Sequence, residues 1–125
     1  MNSERFDELV KAQMRRSESM LLTKAREYAE NATFDNETDR LAHFKKAGAL
    51  MSETPKKAAF GMLVKHLVSV SDMASSGKEY PLSQWNEKIT DSINYLLIIR
   101  AIVEEEESMK SKTISKPSNL KEETK

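Results

Sequence analysis

Apolar residues recur at helical spacing through most of the chain and predict four helices. Phe6, Leu9, Val10, Met14, Leu21, Ala25, Tyr28 and Ala29 form one stripe over about Ser3 to Ala32. Ser3 suits its start as a cap, with Glu4 and Asp7 near the positive end of the helix dipole. A polar interruption at Ser17 predicts a bend there or two shorter helices. NATFDNET then reads as a linker of capping and turn residues. Leu41, Phe44, Gly48 and Met51 share one face of a second helix, about Thr38 to Met51. At Gly48 the missing side chain leaves room for another helix to come close.

Thr54 followed by Pro55 marks the start of a third helix, since threonine caps well and proline suits the first helical position. Its run AAFGMLVKHLVSVSDMA is apolar nearly all round, which predicts the central and most buried helix. SSGKEYP ends it, and Ser83 is the expected cap of a fourth helix. The stripe of that helix is Trp85, Ile89, Ile93, Leu96, Ile99 or Arg100, and Val103. Glu104 to Glu107 oppose the dipole at the expected end, so fraying is predicted there. Short connections favour antiparallel neighbours. The fold class expected is therefore all-α, a four-to-five-helix antiparallel bundle over 1–107, with a disordered polar tail over 108–125.

Composition narrows the function classes. The 125 residues carry 20 basic and 20 acidic side chains, a formal net charge of zero. That balance argues against a broad DNA- or RNA-binding surface, which needs excess positive charge. The zero conceals a split, with 15 basic and 18 acidic residues in 1–107 and 5 basic and 2 acidic residues in 108–125. Absence of cysteine excludes disulfides, thiolate nucleophiles and cysteine-bound zinc. Two histidines, His43 and His66, leave little for a histidine metal site. Three glycines are too few for a phosphate-binding glycine loop. No apolar stretch approaches the roughly 18 residues of a membrane span, and the start lacks an apolar signal core. A cytoplasmic protein without membrane attachment is expected. Neither a cofactor nor a metal is implied.

Polar residues set in apolar helices are the candidate chemistry. Lys65, Ser69 and Asp72 share a face of the third helix, with His66 beside them. Glu87, Asp91, Asn94 and Tyr95 share a face of the fourth. A lysine within GMLVKHLV is costly to bury unless it meets an acid or an anionic ligand. Two readings stay open. One is a buried Lys65–Asp91 pair that fixes helix register, and the other is an anion-binding pocket with Lys65 facing a phosphate. His43, His66, Trp85 and Tyr95 equally suit packing or a ligand site. Because a nearly all-apolar third helix and a strongly apolar fourth exceed what one chain can cover, a homodimer or homotetramer is expected, with ligand sites at or near subunit boundaries.

Two resemblances follow from these segments. Glu27-Tyr-Ala-Glu30 resembles the ExxE motif of all-α nucleoside triphosphate pyrophosphohydrolases of the MazG and dimeric dUTPase type, which hold magnesium between acidic helices. The second motif of that family departs here, since Glu87 and Asp91 are spaced i, i+4, and Lys65 stands where acids would be wanted. Closer, over roughly 20–103, KAREYA, DRLAHFKKAGAL, TPKKAAFGMLVKHLVSVSDM and WNEKITDSINYLLIIRAIV resemble a family of small all-α phage proteins. That resemblance extends to the anti-CBASS sponges, which sequester cyclic dinucleotide immune signals without cleaving them. It implies phage immune evasion in the host cytoplasm and a ligand such as cyclic GMP-AMP. It further implies that Lys24, Arg26, Arg40, Lys65 and His66 meet phosphates, and that Tyr28, Phe44, Trp85 and Tyr95 stack on bases. His43 joins that set, and Asp91 and Asn94 read base edges. No catalytic residue is implied. A magnesium-dependent pyrophosphohydrolase and a non-catalytic adaptor are the alternatives.

Overall fold

The computed structural model describes the backbone of residues 1–28 and 39–124 and the side chains of 1–23 and 39–112. Four helices and no strand are present among the described residues. They are α1 (Ser3–Tyr28), α2 (Ala42–Met51), α3 (Pro55–Ser75) and α4 (Leu82–Thr124). The protein is an all-α bundle, as the periodicity predicts.

Helix α1 runs unbroken through Ser17. The serine is not an interruption of the stripe but its most buried point, 1 % exposed. Its small side chain lets α1 lie close to α4. Gln13 Nε2 donates to Ser17 Oγ at 3.3 Å and to Thr90 Oγ1 at 2.9 Å across that contact. A polar network of this kind is tolerated in a helix interface because its members satisfy one another. The cap differs from expectation, since the Asn2 side chain, not Ser3, accepts from Arg5 N–H at 2.8 Å. The NATFDNET linker lies outside the described residues.

Asp39 organises the start of α2. Its carboxylate accepts from Leu41 N–H at 2.9 Å and from Lys45 Nζ at 2.8 Å. Lys45 also reaches Glu105 at 2.7 Å, which ties α2 to α4. The Lys45 ammonium, then the Leu41 N–H, hold the Asp39 carboxyl below its usual 3.8. Lys45 is raised above 10.5 in return, by Asp39 first and Glu105 second.

Gly48 is buried at the far end of α2. A Cβ there would stand 2.8 Å from the Glu53 carbonyl oxygen and 3.1 Å from Pro55 N. The close approach is thus made by the turn into α3 rather than by a helix flank. Ser52 closes α2 in the left-handed region, φ 56°, with its N–H on Ala49 O and the Glu53 N–H on Gly48 O. Thr54 then caps α3 as expected, its hydroxyl accepting from Lys57 N–H at 3.2 Å.

α3 and α4 pair antiparallel, fixed by Lys56–Glu106 at one level and His66–Asp91 further along. α1 lies parallel to α4, while α2 packs on α3. The core is Phe44, Ala59 and Ile102, with Leu41, Met62, Tyr95, Ile98 and Ile99 against it. α3 is not buried all round. Only one face is covered, by Ala58, Ala59, Leu63 and Met73, while Phe60, Val64, Leu67 and Val68 are exposed.

α4 begins directly after Pro81, whose carbonyl accepts from Gln84 and Trp85 N–H, so Ser83 is not its cap. Nor does the helix fray at Glu104 to Glu107. Each acid has a basic partner: Arg100, Lys45, Lys56 and Lys110 in turn. Those cations offset the unfavourable charge that predicted an end there. The polar segment 108–125 forms the expected C-terminal tail beyond the bundle, with helical backbone as far as Thr124. Its described side chains, 108–112, are solvent-exposed, and those beyond lie outside the described residues. Among the described residues no helix is long and apolar enough to cross a membrane.

Candidate functional site

A cavity of about 260 Å³ opens between the end of α1, the start of α2 and the middle of α4. Leu21, Leu41, Phe44, Leu97, Ile98 and Ala101 supply its apolar wall. Arg40, Asp91, Asn94 and Tyr95 supply its polar groups. The local sequence explains this layout. Asp91, Asn94, Tyr95 and Ile98 recur at i, i+3, i+4 and i+7, so α4 presents them as one strip. Arg40 sits in the turn that Asp39 organises, with its side chain at the rim and exposed.

Asn94 is the outlying residue. It is 6 % exposed, and neither Oδ1 nor Nδ2 has a hydrogen-bond partner among the described residues. Burying an amide without partners costs roughly 1–3 kcal/mol by mutational measures. Such groups are few in folded proteins, and each asks for an explanation. Here the unsatisfied amide lines a cavity, to which it offers two donors and one acceptor.

Beside it is a packed polar set. Asp91, 9 % exposed, has its Oδ2 3.7 Å from His66 Nδ1. His66 stacks on Tyr95 with ring centroids 5.2 Å apart and planes at 26°. Tyr95 in turn meets Phe44 edge-on at 6.4 Å. The outer face of Tyr95 is therefore held by His66 and its inner side by Phe44, which fixes the ring and, through it, the strip carrying Asn94.

Of the residues singled out in the sequence, Arg40, Phe44, Asp91, Asn94 and Tyr95 converge on this cavity, with His66 behind it. Lys65 does not. It is exposed on α3, and no Lys65–Asp91 pair forms. The register places His66, one residue on, against Asp91 instead. A long, strongly hydrated lysine at that position stays in water without cost. His43 is exposed, its ring meeting the edge of Phe44 at 5.5 Å, and it does not line the cavity. Trp85 is half-buried against Tyr80 at the other end of α4, 6.4 Å between centroids, so it does not join the site. The side chains of Lys24, Arg26, Tyr28 and Glu27, and the whole of Glu30, lie outside the described residues. Leu21, a stripe position, also lines the cavity, as do Leu97 and Ala101, which the predicted stripe of the fourth helix leaves out. The Gln13–Ser17–Thr90 network was not foreseen, although a serine inside an apolar stripe is the signal that marks it. Among the described residues no three carboxylate or imidazole side chains gather into a metal-binding group.

The fold and cavity define a helical bundle with a small, mostly apolar pocket and one orphan amide. No protein-family model matches the sequence, and neither a curated protein nor a solved structure shows significant similarity to it.

Proposed function

We propose that this protein is a non-catalytic binder that sequesters a small nucleotide, and that the ligand is a cyclic dinucleotide such as cyclic GMP-AMP. The observation that carries the reading is the buried, unpartnered amide of Asn94 in the wall of a cavity. An asparagine amide pairs with a purine edge through one donor and one acceptor, the pattern used to read adenine. Arg40 at the rim offers a planar, permanently charged fork to a phosphate. Phe44, Leu21 and Leu97 give the apolar walls that a base needs. At about 260 Å³ the cavity falls just below the ~300–1,000 Å³ of pockets that enclose a whole drug-sized ligand. It therefore takes one base with part of its sugar, while the second nucleotide lies at the mouth near Arg40. The resemblance to small phage proteins supplies the finer terms of the proposal: immune evasion in the host cytoplasm and release of the ligand unchanged. The working form is a homodimer or homotetramer.

Isothermal titration with cyclic dinucleotides, linear dinucleotides and nucleoside triphosphates, each in magnesium and in EDTA, tests this reading. Metal-independent binding of a cyclic dinucleotide that chromatography recovers intact is the expected result. Pyrophosphate release from a triphosphate would replace it with the pyrophosphohydrolase reading, and Glu27 and Glu30 would be the residues to test. Absence of binding by every nucleotide would leave an adaptor.

A further inference from the structure

Among the described residues the α3–α4 pair is a two-helix layer covered on one side only. On that side α1 meets α4 at Thr90 and the cavity is lined by Asn94, Leu97, Ile98 and Ala101, and the inward face of α3 is Ala58, Ala59, Leu63 and Met73. The remaining positions, on the other side of the layer, are Phe60, Val64 and Leu67 of α3 and Ile89, Leu96 and Val103 of α4. Their exposures run from 37 % to 55 %. The two rows adjoin because the helices are antiparallel and their exposed rows begin on the same side of the shared seam. Together they expose on the order of 500 Å² of apolar surface, at the upper end of what a monomer shows.

We infer that this open α3–α4 face is the interface with a second copy of the chain, related by a two-fold axis. Two observations select a second copy. A standard interface removes about 800 Å² from each partner, a little over half of it apolar, and the patch matches that apolar share. The rim is also self-complementary. Arg100 and Glu104 stand together at the α4 edge, 67 % and 74 % exposed and 3.3 Å apart. A two-fold mate can lay Arg100 of one copy beside Glu104 of the other, so neither sign meets its like. A closed, isologous contact is the commonest way for identical chains to bury such a face.

This inference rests on the homo-oligomer reading given above and corrects one part of it. The cavity opens on the side of the layer that carries α1 and α2. Each pocket is therefore complete within one subunit and faces away from the interface, and the two sites act independently rather than sharing a boundary.

The test is sedimentation velocity on the full chain, wild type against Leu67→Glu/Leu96→Glu, with Phe6→Glu/Val10→Glu on α1 as control. All four positions are partly exposed in the single chain, so circular dichroism should show unchanged helicity. The wild type is expected to sediment as a dimer at 10 µM, and the α3–α4 variant as a monomer with dimerisation weakened at least 100-fold. The α1 control should remain dimeric. Because the chain has no cysteine, Val64→Cys offers a second readout that does not depend on folding under charge: an added oxidant should trap a disulfide-linked dimer, or a bifunctional thiol-alkylating reagent a crosslinked one. A monomeric wild type at 100 µM would overturn the oligomer reading itself. A dimer that survives Leu67→Glu/Leu96→Glu but is broken by the α1 control would overturn only the choice of face.

Discussion

Replacing Asn94 by leucine should make the ligand-free protein more stable, which is the reverse of what most changes at a buried position do. The amide is 6 % exposed and both of its polar atoms lack partners. Folding therefore strips it of water without return, at roughly 1–3 kcal/mol. Leucine removes that penalty and adds apolar contact. It is bulkier than asparagine, and overpacking costs typically about 1–3 kcal/mol in a filled core. Here the extra volume has somewhere to go, since the side chain borders a cavity of about 260 Å³. The net expectation is a gain of about 1–3 kcal/mol, which for a domain of this size raises the melting temperature by about 4 °C per kcal/mol. Thermal and urea unfolding followed by circular dichroism measure it. The same variant should lose cyclic dinucleotide affinity by about 10- to 100-fold, because the base edge would face a methyl group. A residue kept at a cost to stability and needed for binding is the signature of a functional site. A fall in stability of 1 kcal/mol or more for Asn94→Leu would refute the reasoning, because it would mean that the amide is satisfied in the free protein.

Further outcomes follow from the geometry. Gly48→Ala should destabilise by about 1–3 kcal/mol, because its Cβ would press on the backbone of the α2–α3 turn, which cannot yield as a side chain would; denaturant midpoints check it. Ser52→Gly should stabilise by about 0.5–1 kcal/mol by relieving a left-handed conformation, φ 56°, and Thr54→Ala should cost about 1 kcal/mol through the lost cap of α3. Asp39 contributes to pH dependence with a definite sign. Its folded value lies below 3.8, so its stabilisation is present above that value and is lost as pH falls through the depressed one. Asp39→Asn should flatten that acid limb, and since the pair is about 40 % exposed the loss at neutral pH should stay under about 1 kcal/mol. Lys45 works in the opposite direction: raised above 10.5, its contribution holds below that value and disappears as pH rises through the higher one, which Lys45→Met should abolish in an alkaline unfolding series.

The all-α class and the start of α3 were legible because they rest on local rules. Period 3.6 and a Thr-Pro cap need no knowledge of distant partners. What was misread depends on pairing between segments far apart. Lys65 looked buried because its flanks are apolar, but one side of α3 is open in the single chain, and a lysine there reaches water. Asp91 did have a basic neighbour in the predicted region, yet a one-residue difference in register made it His66. Glu104 to Glu107 read as a helix end because the countercharges of Glu105 and Glu106, Lys45 and Lys56, come from 60 and 50 residues away. Ser17 read as a break because what makes room for a hydroxyl there is the contact with α4, where its partner Gln13 also donates to Thr90. The site was legible as a set of types, since Arg40, Phe44, Asp91, Asn94 and Tyr95 were all candidates. That Asn94 stands without a partner is a fact of three-dimensional packing, and no spacing in the sequence could show it.

The cavity around Asn94 is proposed to hold a cyclic dinucleotide without cleaving it. Calorimetric titration of the wild type with cyclic GMP-AMP in EDTA tests that most directly. Saturable binding at one site per chain is expected, weakened about 10- to 100-fold in Asn94→Leu, with the ligand recovered whole. Absence of heat and of thermal stabilisation with any cyclic dinucleotide, or equal binding by wild type and Asn94→Leu, would contradict it.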